Sequence, residues 1–277
     1  MVCLCCIDPI AVHYAFLVLM TGILFYFSSK SSKGAAIVFC IVGLLCSTDV
    51  GDKLGEYAFS RFMGAITKSE AIDKYRCGLF KEVKGRVLEL GPGPGTNMRC
   101  LKENNHRIKE WVGIEPVNKF EDLLSEAKSN NNITFPTSMR WLKGEDLDVE
   151  AESFDYVIAS HLLCSVDDIP QVLKQAKRAL KKGGKYLGLE HVLTDLSFDA
   201  RGIEGNNGMT LQDRQELKWW QEVLAPVFWV LGRGCKFLDI GKEVIDMEGM
   251  NTDVTYVHTP HSIPIYRPHV IIKGKKL

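Results

Sequence analysis

The sequence predicts an α/β fold in which a Rossmann-like, doubly wound sheet of seven strands follows a hydrophobic membrane anchor. Three observations support this prediction. From residue 85 onward, strand-like apolar runs alternate with helix-like runs, which is typical of a sheet with helices on both faces. The first of these strands leads directly into a glycine-rich loop. An uncharged run at residues 10–27 is long enough to approach the width of a bilayer.

The predicted elements follow from these alternating runs. We expect strands at residues 86–90, 109–115, 138–142, 154–159, 185–190, 252–258 and 269–272. We expect helices at residues 96–104, 118–129, 169–180, 211–231 and 240–248.

The chain divides into three predicted regions: an anchor at residues 1–50, a linker and amphipathic cap at 51–84, and the α/β domain at 85–277. No Lys or Arg precedes the first apolar run and the run is too long for a signal-peptide core, so an uncleaved anchor is favoured over a signal peptide. The second apolar run, at 35–46, is too short to span comfortably, and its topology stays open. S-acylation also stays open for the terminal cysteines Cys3, Cys5 and Cys6.

The overall composition excludes several classes of partner. The formal net charge is zero, so no global field attracts nucleic acid, and we expect no nucleic-acid partner. Nine scattered cysteines argue against a disulfide framework and a zinc site, and favour a reducing, cytosol-facing location. The sequence leaves the oligomeric state undetermined.

The glycine-rich loop is the most informative motif. Gly91, Gly93 and Gly95 allow positive φ and close approach by a ligand, and the helix expected near Thr96 directs backbone N–H groups into the same space. A strand ending in Glu115, about 20 residues further on, supplies an acid that can accept hydrogen bonds from two ribose hydroxyls. Either a dinucleotide or an S-adenosylmethionine would fit this spacing.

The spacing of the glycines separates the two ligands. A dinucleotide fingerprint requires a third glycine three residues after the second, and Thr96 stands there. A G-x-G-x-G loop preceded by an acid, here Glu89, is similar to the loop of class I S-adenosylmethionine methyltransferases. That resemblance implies S-adenosylmethionine as the cofactor, with Glu89 facing its methionine amine and the loop holding its carboxylate.

Other strand ends supply the remaining candidate residues, because ligands of open parallel sheets bind beyond the carboxyl ends of the strands. Glu145 and Asp146 follow the third strand, where an acid can accept a hydrogen bond from the adenine amino group. Ser160 and Leu162 follow the fourth strand and are expected beside the sulfonium. Candidate catalytic residues at the ends of the fourth and fifth strands are His161 and His191.

A closer resemblance rests on motifs distributed along the α/β domain. The chain resembles the membrane-associated thiol methyltransferases called methyltransferase-like protein 7. The motifs that carry this resemblance are Leu88–Gly91 with Gly95–Asn97, Leu163–Val166, Arg178–Leu180 with Gly183 and Gly184, Glu190–Val192, Trp220–Leu224 with Pro226, Gly234 with Cys235, and Arg267–His269.

The resemblance implies a seven-stranded methyltransferase sheet whose last two strands form an antiparallel hairpin. It further implies a small hydrophobic alkyl thiol as substrate, and an anchor in lipid on the cytosolic face of the endoplasmic reticulum or on lipid droplets. Two departures concern the site: Glu115 replaces an Asp, and the connection at 194–213 looks longer. The alternatives are a lipid or quinone O-, N- or C-methyltransferase, an inactive scaffold, and, more remotely, a nicotinamide-dependent oxidoreductase.

Methylation of a thiol determines the roles that we expect of the residues around the acceptor. A free thiol is mostly protonated near pH 7, so a base is useful, and His191 is the first candidate with His161 second. Cys164 and Cys235 are interpreted as structural, because direct methyl transfer needs no covalent enzyme intermediate. The sequence shows no cluster of metal ligands. Charge disappears in the reaction, which favours a dry pocket, and the predicted lining residues are Leu162, Leu163, Trp219, Trp220, Phe228 and Trp229.

Overall fold

The computed structural model describes residues 56–57, 59–61, 63, 70, 72–194, 209–231, 234–245, 247–261 and 263–277. The chain divides into two compact units, Met1–Arg61 and Phe62–Leu277, and the elements below belong to the second. Within these described ranges, no helix combines the length and the apolar character needed to cross a bilayer. The predicted anchor at 1–50 lies outside the described residues, so membrane anchoring stays a prediction.

A seven-stranded sheet forms the centre of the second unit, with the strand order β3-β2-β1-β4-β5-β7-β6. The first five strands are parallel, and β7 runs antiparallel to both β5 and β6. This confirms the predicted sheet and its antiparallel end. The strands are β1 (Gly85–Leu90), β2 (Ile108–Ile114), β3 (Thr137–Arg140), β4 (Phe154–Ser160), β5 (Leu180–His191), β6 (Met250–His258) and β7 (Pro268–Lys276).

The five predicted helices all form, although four of them are shorter than expected, and a further helix at Asp73–Phe80 precedes the sheet. The helices are α1 (Asp73–Phe80), α2 (Met98–Leu101), α3 (Glu121–Asn130), α4 (Ile169–Ala179), α5 (Leu211–Leu231) and α6 (Ile240–Ile245). Short 3₁₀ turns extend α2 at its carboxyl end and α3 at its amino end. In α1, which lies in the region predicted as an amphipathic cap, Leu79 and Phe80 are buried in the core.

Two apolar clusters cover the two faces of the sheet. Because side chains alternate along a strand, neighbouring residues enter opposite clusters. Val87 packs with α1 and α2 residues on one face, and Leu88 packs with α4 residues on the other. Ile158 and Val157 divide in the same way on β4. The apolar runs predicted as buried strands therefore supply both layers of the core.

Helix α4 illustrates how local sequence fixes an element. The carboxylate of Asp168 accepts a hydrogen bond from the backbone N–H of Gln171 at 2.9 Å and caps the helix start, and Pro170 fits the first turn. Buried side chains then recur at helical spacing and face the sheet. They are Ile169, Val172, Leu173, Ala176 and Ala179.

A disulfide joins α1 to α2 through Cys77 and Cys100, whose Cα atoms are 4.7 Å apart. The nine scattered cysteines predicted no disulfide framework, so this bond was not expected. Since 23 residues separate the two cysteines along the chain, only the packing of the two helices brings them together.

Candidate active site

The loop after β1 has the backbone that its glycines predict. Gly91, Gly93 and Gly95 have φ angles of +65°, +51° and +81°, which L side chains rarely adopt. A Cβ on Gly91 would overlap Leu162, and one on Gly95 would overlap Leu124. A Cβ on Gly93 would meet no atom within 4 Å. The outer glycines thus allow packing of the loop, whereas the middle one borders open space where a ligand can approach.

Glu115 lies beside that space, directly after β2. Its carboxylate accepts hydrogen bonds from the backbone N–H of Gly93 at 3.1 Å and of Val117 at 3.0 Å. The side chain is buried, and this burial raises the pKa of Glu115 to about 7. An acceptor group next to an open glycine turn fits the adenosyl group that the resemblance implies, with the carboxylate toward the ribose.

Glu89 is fully buried beneath the same loop. One carboxylate oxygen accepts a hydrogen bond from Asn97 Nδ2 at 2.9 Å, and the other accepts one from Trp111 Nε1 at 2.8 Å. Burial raises the pKa of Glu89 to about 7. The structure therefore gives this residue a role in fixing the loop, and its contact with a methionine amine stays a prediction.

The helix after the loop begins later than predicted. It starts at Met98 rather than near Thr96 and has only 4 residues before a 3₁₀ turn. The side chain of Asn97 does not cap the helix, since it donates to Glu89 instead. A helix this short adds little dipole, so a ligand at the loop would depend mainly on the turn and on Glu115.

The two acids after β3 differ in their surroundings. Glu145 accepts hydrogen bonds from the backbone N–H groups of Asp167 at 2.9 Å and Asp168 at 3.3 Å, so it fixes the start of α4. Asp146 is exposed. Of the two predicted adenine-binding acids, Asp146 has the side chain more open to an incoming ligand.

The turn after β4 connects the glycine loop to the fifth strand. Ser160 is the last residue of β4, and His161 follows it with a strained φ of +56°. The carboxylate of the buried Glu190 accepts hydrogen bonds from the backbone N–H of Leu162 at 3.1 Å and of Leu163 at 3.2 Å. Glu190, which was not among the predicted site residues, thus holds the turn that carries Leu162 against Gly91.

His161 is part of a histidine pair. Its Nε2 lies 2.9 Å from Nε2 of His269, whose Nδ1 lies 3.1 Å from the carbonyl oxygen of Arg267. A carbonyl only accepts, so Nδ1 of His269 carries a proton and its Nε2 accepts one from His161. Burial lowers the pKa of His161 well below its usual value and that of His269 to about 3. Both rings are therefore neutral near pH 7.

His191 ends β5 and lies in a buried cluster with two cysteines. Its Nε2 is 3.1 Å from Sγ of Cys235, and that sulfur is 3.8 Å from Sγ of Cys164. Burial alone lowers the pKa of His191, but the interaction with Cys164 offsets burial and the net shift is upward. The sequence indicated no cluster of metal ligands, because only the fold brings these three side chains together from distant parts of the chain.

An aromatic wall covers the other side of His191. The ring centroids of Phe237 and Tyr266 each lie 5.4 Å from the centroid of His191, and Phe228 packs 5.0 Å from Tyr266. Phe228 therefore packs in the aromatic group beside His191, and its role as a lining residue stays a prediction. For Trp219 and Trp220 the prediction is wrong, since they are 54% and 43% exposed on α5.

The prediction of Leu163 as a lining residue is also wrong, because this side chain is fully buried in the core. Sequence reasoning missed His269 as well as Glu190. The signal for His269 was its place at the start of β7, because an antiparallel strand begins at the edge where its parallel neighbours end. In the sheet register, His269 pairs with His191.

Comparison with known proteins gives concordant matches. A family model described as a methyltransferase domain matches residues 65–237. Thiol S-methyltransferase TMT1A of Homo sapiens is 24% identical over 189 residues, covering 66% of this chain and 68% of the relative. Thiol S-methyltransferase TMT1B of Rattus norvegicus is 25% identical over 203 residues, covering 71% and 75%.

Among solved structures, a SAM-dependent methyltransferase of Thermotoga maritima matches with a TM-score of 0.51 and 21% identity. The match covers 79% of this chain and 98% of that chain. At this level of identity the likeness concerns the fold alone.

Proposed function

The chain belongs to the methyltransferase-domain family, and from this premise we propose that it transfers a methyl group from S-adenosylmethionine to a small hydrophobic alkyl thiol. The observation that carries the proposal is the open turn at Gly93 beside Glu115, with histidines at neighbouring strand ends and two cysteines close to His191. The relatives named thiol S-methyltransferases support a thiol as the acceptor.

The residues on the donor side bind and orient S-adenosylmethionine. When bound, S-adenosylmethionine supplies an electrophilic methyl group on a positively charged sulfur. Gly93 leaves room for the ligand, and Glu115 accepts hydrogen bonds from the ribose hydroxyls. Asp146 receives the adenine amino group, and Ser160 and Leu162 flank the sulfonium. Glu89 and Glu190 keep these loops in place through the hydrogen bonds described above.

The residues on the acceptor side exclude water and move a proton. A thiolate and a sulfonium lose their charges as the methyl group transfers, so a poorly solvating pocket favours the transition state. Phe228, Phe237 and Tyr266 give the pocket an apolar wall. The thiol must release its proton, and the rings of His161 and His191 are the candidates to receive it, a role worth about 10²- to 10⁴-fold.

We extend the proposal to location on the basis of the sequence. The uncharged run at 10–27 anchors the enzyme in lipid, on the cytosolic face of the endoplasmic reticulum or on lipid droplets. Hydrophobic thiols concentrate in lipid and would reach a tethered pocket readily. Carbonate extraction of membranes from cells that express the full chain tests this point, and release into the soluble fraction would contradict it.

One acceptor screen tests the proposed function. The full-length protein in detergent or vesicles is given methyl-labelled S-adenosylmethionine and either an alkyl thiol, a phospholipid or a quinone. We expect label in the thioether product, and none when Glu115→Ala removes donor binding. Label only in lipid or quinone would replace the thiol assignment with the O-, N- or C-methylation alternative. No label, together with no calorimetric binding of S-adenosylhomocysteine, would indicate an inactive scaffold.

A further inference from the structure

Three side chains typical of zinc sites converge in a buried cluster. Cys164 lies in the turn after β4, His191 ends β5, and Cys235 follows α5. Their candidate ligand atoms all lie within 4.8 Å of one another. Two cysteines and one histidine form a known donor set of catalytic zinc sites, which keep a fourth position open for water or substrate.

Two of the distances in the cluster are close to those around a tetrahedral zinc ion. Two thiolate sulfurs bound to one such ion stand about 3.8 Å apart, and the sulfurs of Cys164 and Cys235 are 3.8 Å apart. An imidazole nitrogen and a sulfur on the same ion stand roughly 3.5 Å apart, against 3.1 Å between His191 Nε2 and Cys235 Sγ. The ligand nitrogen of His191 lies within 4.8 Å of Sγ of Cys164.

Charge and burial favour a cation in the same place. Before the acceptor binds, a zinc ion with two thiolates and a neutral imidazole has no net charge, so an apolar surrounding does not oppose its burial. The acceptor thiolate adds one negative charge, which the positive sulfonium of the donor balances. With Nε2 of His191 on the ion, the proton of the neutral ring lies on Nδ1, for which the described residues provide no hydrogen-bond partner. An unpaired buried N–H group is costly, so a water bound to Nδ1 would complete the site.

The surroundings match those of a metal that acts on substrate. Phe237 and Tyr266 pack against the ring of His191 and limit access by water. The turn that carries Cys164 also carries Leu162, which packs on the glycine loop. The cluster therefore lies on the same structural unit as the proposed donor site, at the carboxyl ends of β4 and β5.

We propose that Cys164, His191 and Cys235 bind a zinc ion whose open position holds the acceptor thiol as a thiolate. The metal site rests on the geometry of the cluster, whereas the role of the bound thiol rests on the proposed function. Zinc lowers the pKa of bound ligands and deprotonates a coordinated thiol, so the ion supplies the nucleophile that methyl transfer requires.

The reaction balances without any redox partner. The S–H bond of the acceptor breaks, its proton leaves to a base, and the sulfur binds zinc. That sulfur attacks the methyl carbon, a new S–C bond forms, and the donor's S–CH₃ bond breaks with its electron pair on the donor sulfur. The neutral thioether is a weaker zinc ligand than the thiolate and leaves. In this arrangement His191 is a ligand, and His161 is the remaining candidate to receive the proton.

Metal analysis of the full-length protein tests the site directly. After removal of metal and titration with Zn²⁺, we expect about one tightly bound zinc per chain. Zinc binding should weaken by more than about 100-fold in each of the variants Cys235→Ser, Cys164→Ser and His191→Asn. Loss of a residue that only hydrogen-bonds to a metal ligand already weakens metal binding by about 10- to 100-fold. His261→Asn is the matched control, because His261 lies outside the cluster, and it should bind zinc normally.

Binding of S-adenosylhomocysteine shows that each variant is folded. Absence of zinc binding in a wild-type protein that binds S-adenosylhomocysteine would overturn the proposal and leave the proposed function standing. A second result would also overturn the proposal: freshly purified protein contains a Cys164–Cys235 disulfide, and the protein still fails to bind zinc after this disulfide is reduced.

Cobalt substitution tests the role of the open position. Co²⁺ bound by two thiolates and a histidine absorbs in the visible range, and addition of an alkyl thiol without methyl donor should change that spectrum. An unchanged spectrum at saturating thiol would overturn substrate binding by the metal. If the spectrum changes but the acceptor screen labels only lipids, the thiol function fails while the metal site remains, so the two failures are distinguishable.

Discussion

Single carboxylates organise the strand ends of this protein. Glu89, Glu115 and Glu190 each lie at or next to the carboxyl end of a parallel strand, and each accepts two hydrogen bonds that fix a neighbouring segment. Burial raises the pKa of Glu89 and Glu115 to about 7. These acids are therefore parts of the framework, and Glu115 alone borders the open turn.

The contact of Glu115 with the methyl donor can be tested by changing this single residue. In Glu115→Gln, the amide keeps one acceptor oxygen but turns its NH₂ group toward a backbone donor or the ribose. A hydrogen bond to a charged group is worth about 1.5 to 3 kcal/mol, so the Kd for S-adenosylhomocysteine should rise by at least about 10-fold in calorimetry. Asp122→Asn, on the exposed surface of α3, is the control. Unchanged affinity in the glutamine variant would remove Glu115 from the donor site.

At the scale of elements, the glycine loop depends on its backbone more than on the helix that follows it. The predicted helix at 96–104 begins only at Met98 and consists of a single turn and a 3₁₀ segment, and Asn97 donates to Glu89 instead of capping it. Local sequence predicted that a loop and a helix would occur here. It did not predict the start of the helix, since a buried carboxylate from another element competes for the capping side chain.

Gly93 and Gly183 form a matched pair for testing the loop. Both have positive φ, and a Cβ on either would meet no atom within 4 Å, so each change to Ala should cost about 1 kcal/mol of folding free energy. Gly183 lies near the amino-terminal end of β5, whereas Gly93 follows the carboxyl end of β1. We expect only Gly93→Ala to lose S-adenosylhomocysteine binding. Equal binding by both variants would show that the ligand does not approach Gly93.

At the scale of the whole molecule, burial of Glu89 links stability to pH. Its pKa is about 7 in the folded chain and lies near 4.5 in the unfolded chain. The folded state thus binds more protons between these values, so this contribution to stability is complete below about pH 4.5 and disappears as pH rises through 7. Burial of the charged form at high pH is the physical cause.

Comparison with Glu89→Gln isolates this effect from other titrating groups. The stability of wild type relative to the variant should decrease by roughly 2 kcal/mol between pH 5 and pH 8. Chemical denaturation of the ligand-free proteins across this range measures the difference. A difference that stays constant with pH would show that Glu89 does not titrate there.

The sequence by itself determined the sheet and the loop. Apolar alternation along the strands and the spacing of Gly91, Gly93 and Gly95 are local properties, so they predict elements whatever the rest of the chain does. They also predicted which strand ends matter, because parallel strands end at one edge. His161, His191 and Glu115 were all found in this way.

Only the tertiary structure determined which side chains come together at the carboxyl ends of the parallel strands. Cys164 and Cys235 are 71 residues apart along the chain, and His269 arrives on an antiparallel strand. The sequence could not show that these residues surround His191, nor that Trp219 and Trp220 face solvent. Side-chain direction depends on how α5 and β7 pack against the sheet, and that packing is set by contacts between segments remote in sequence.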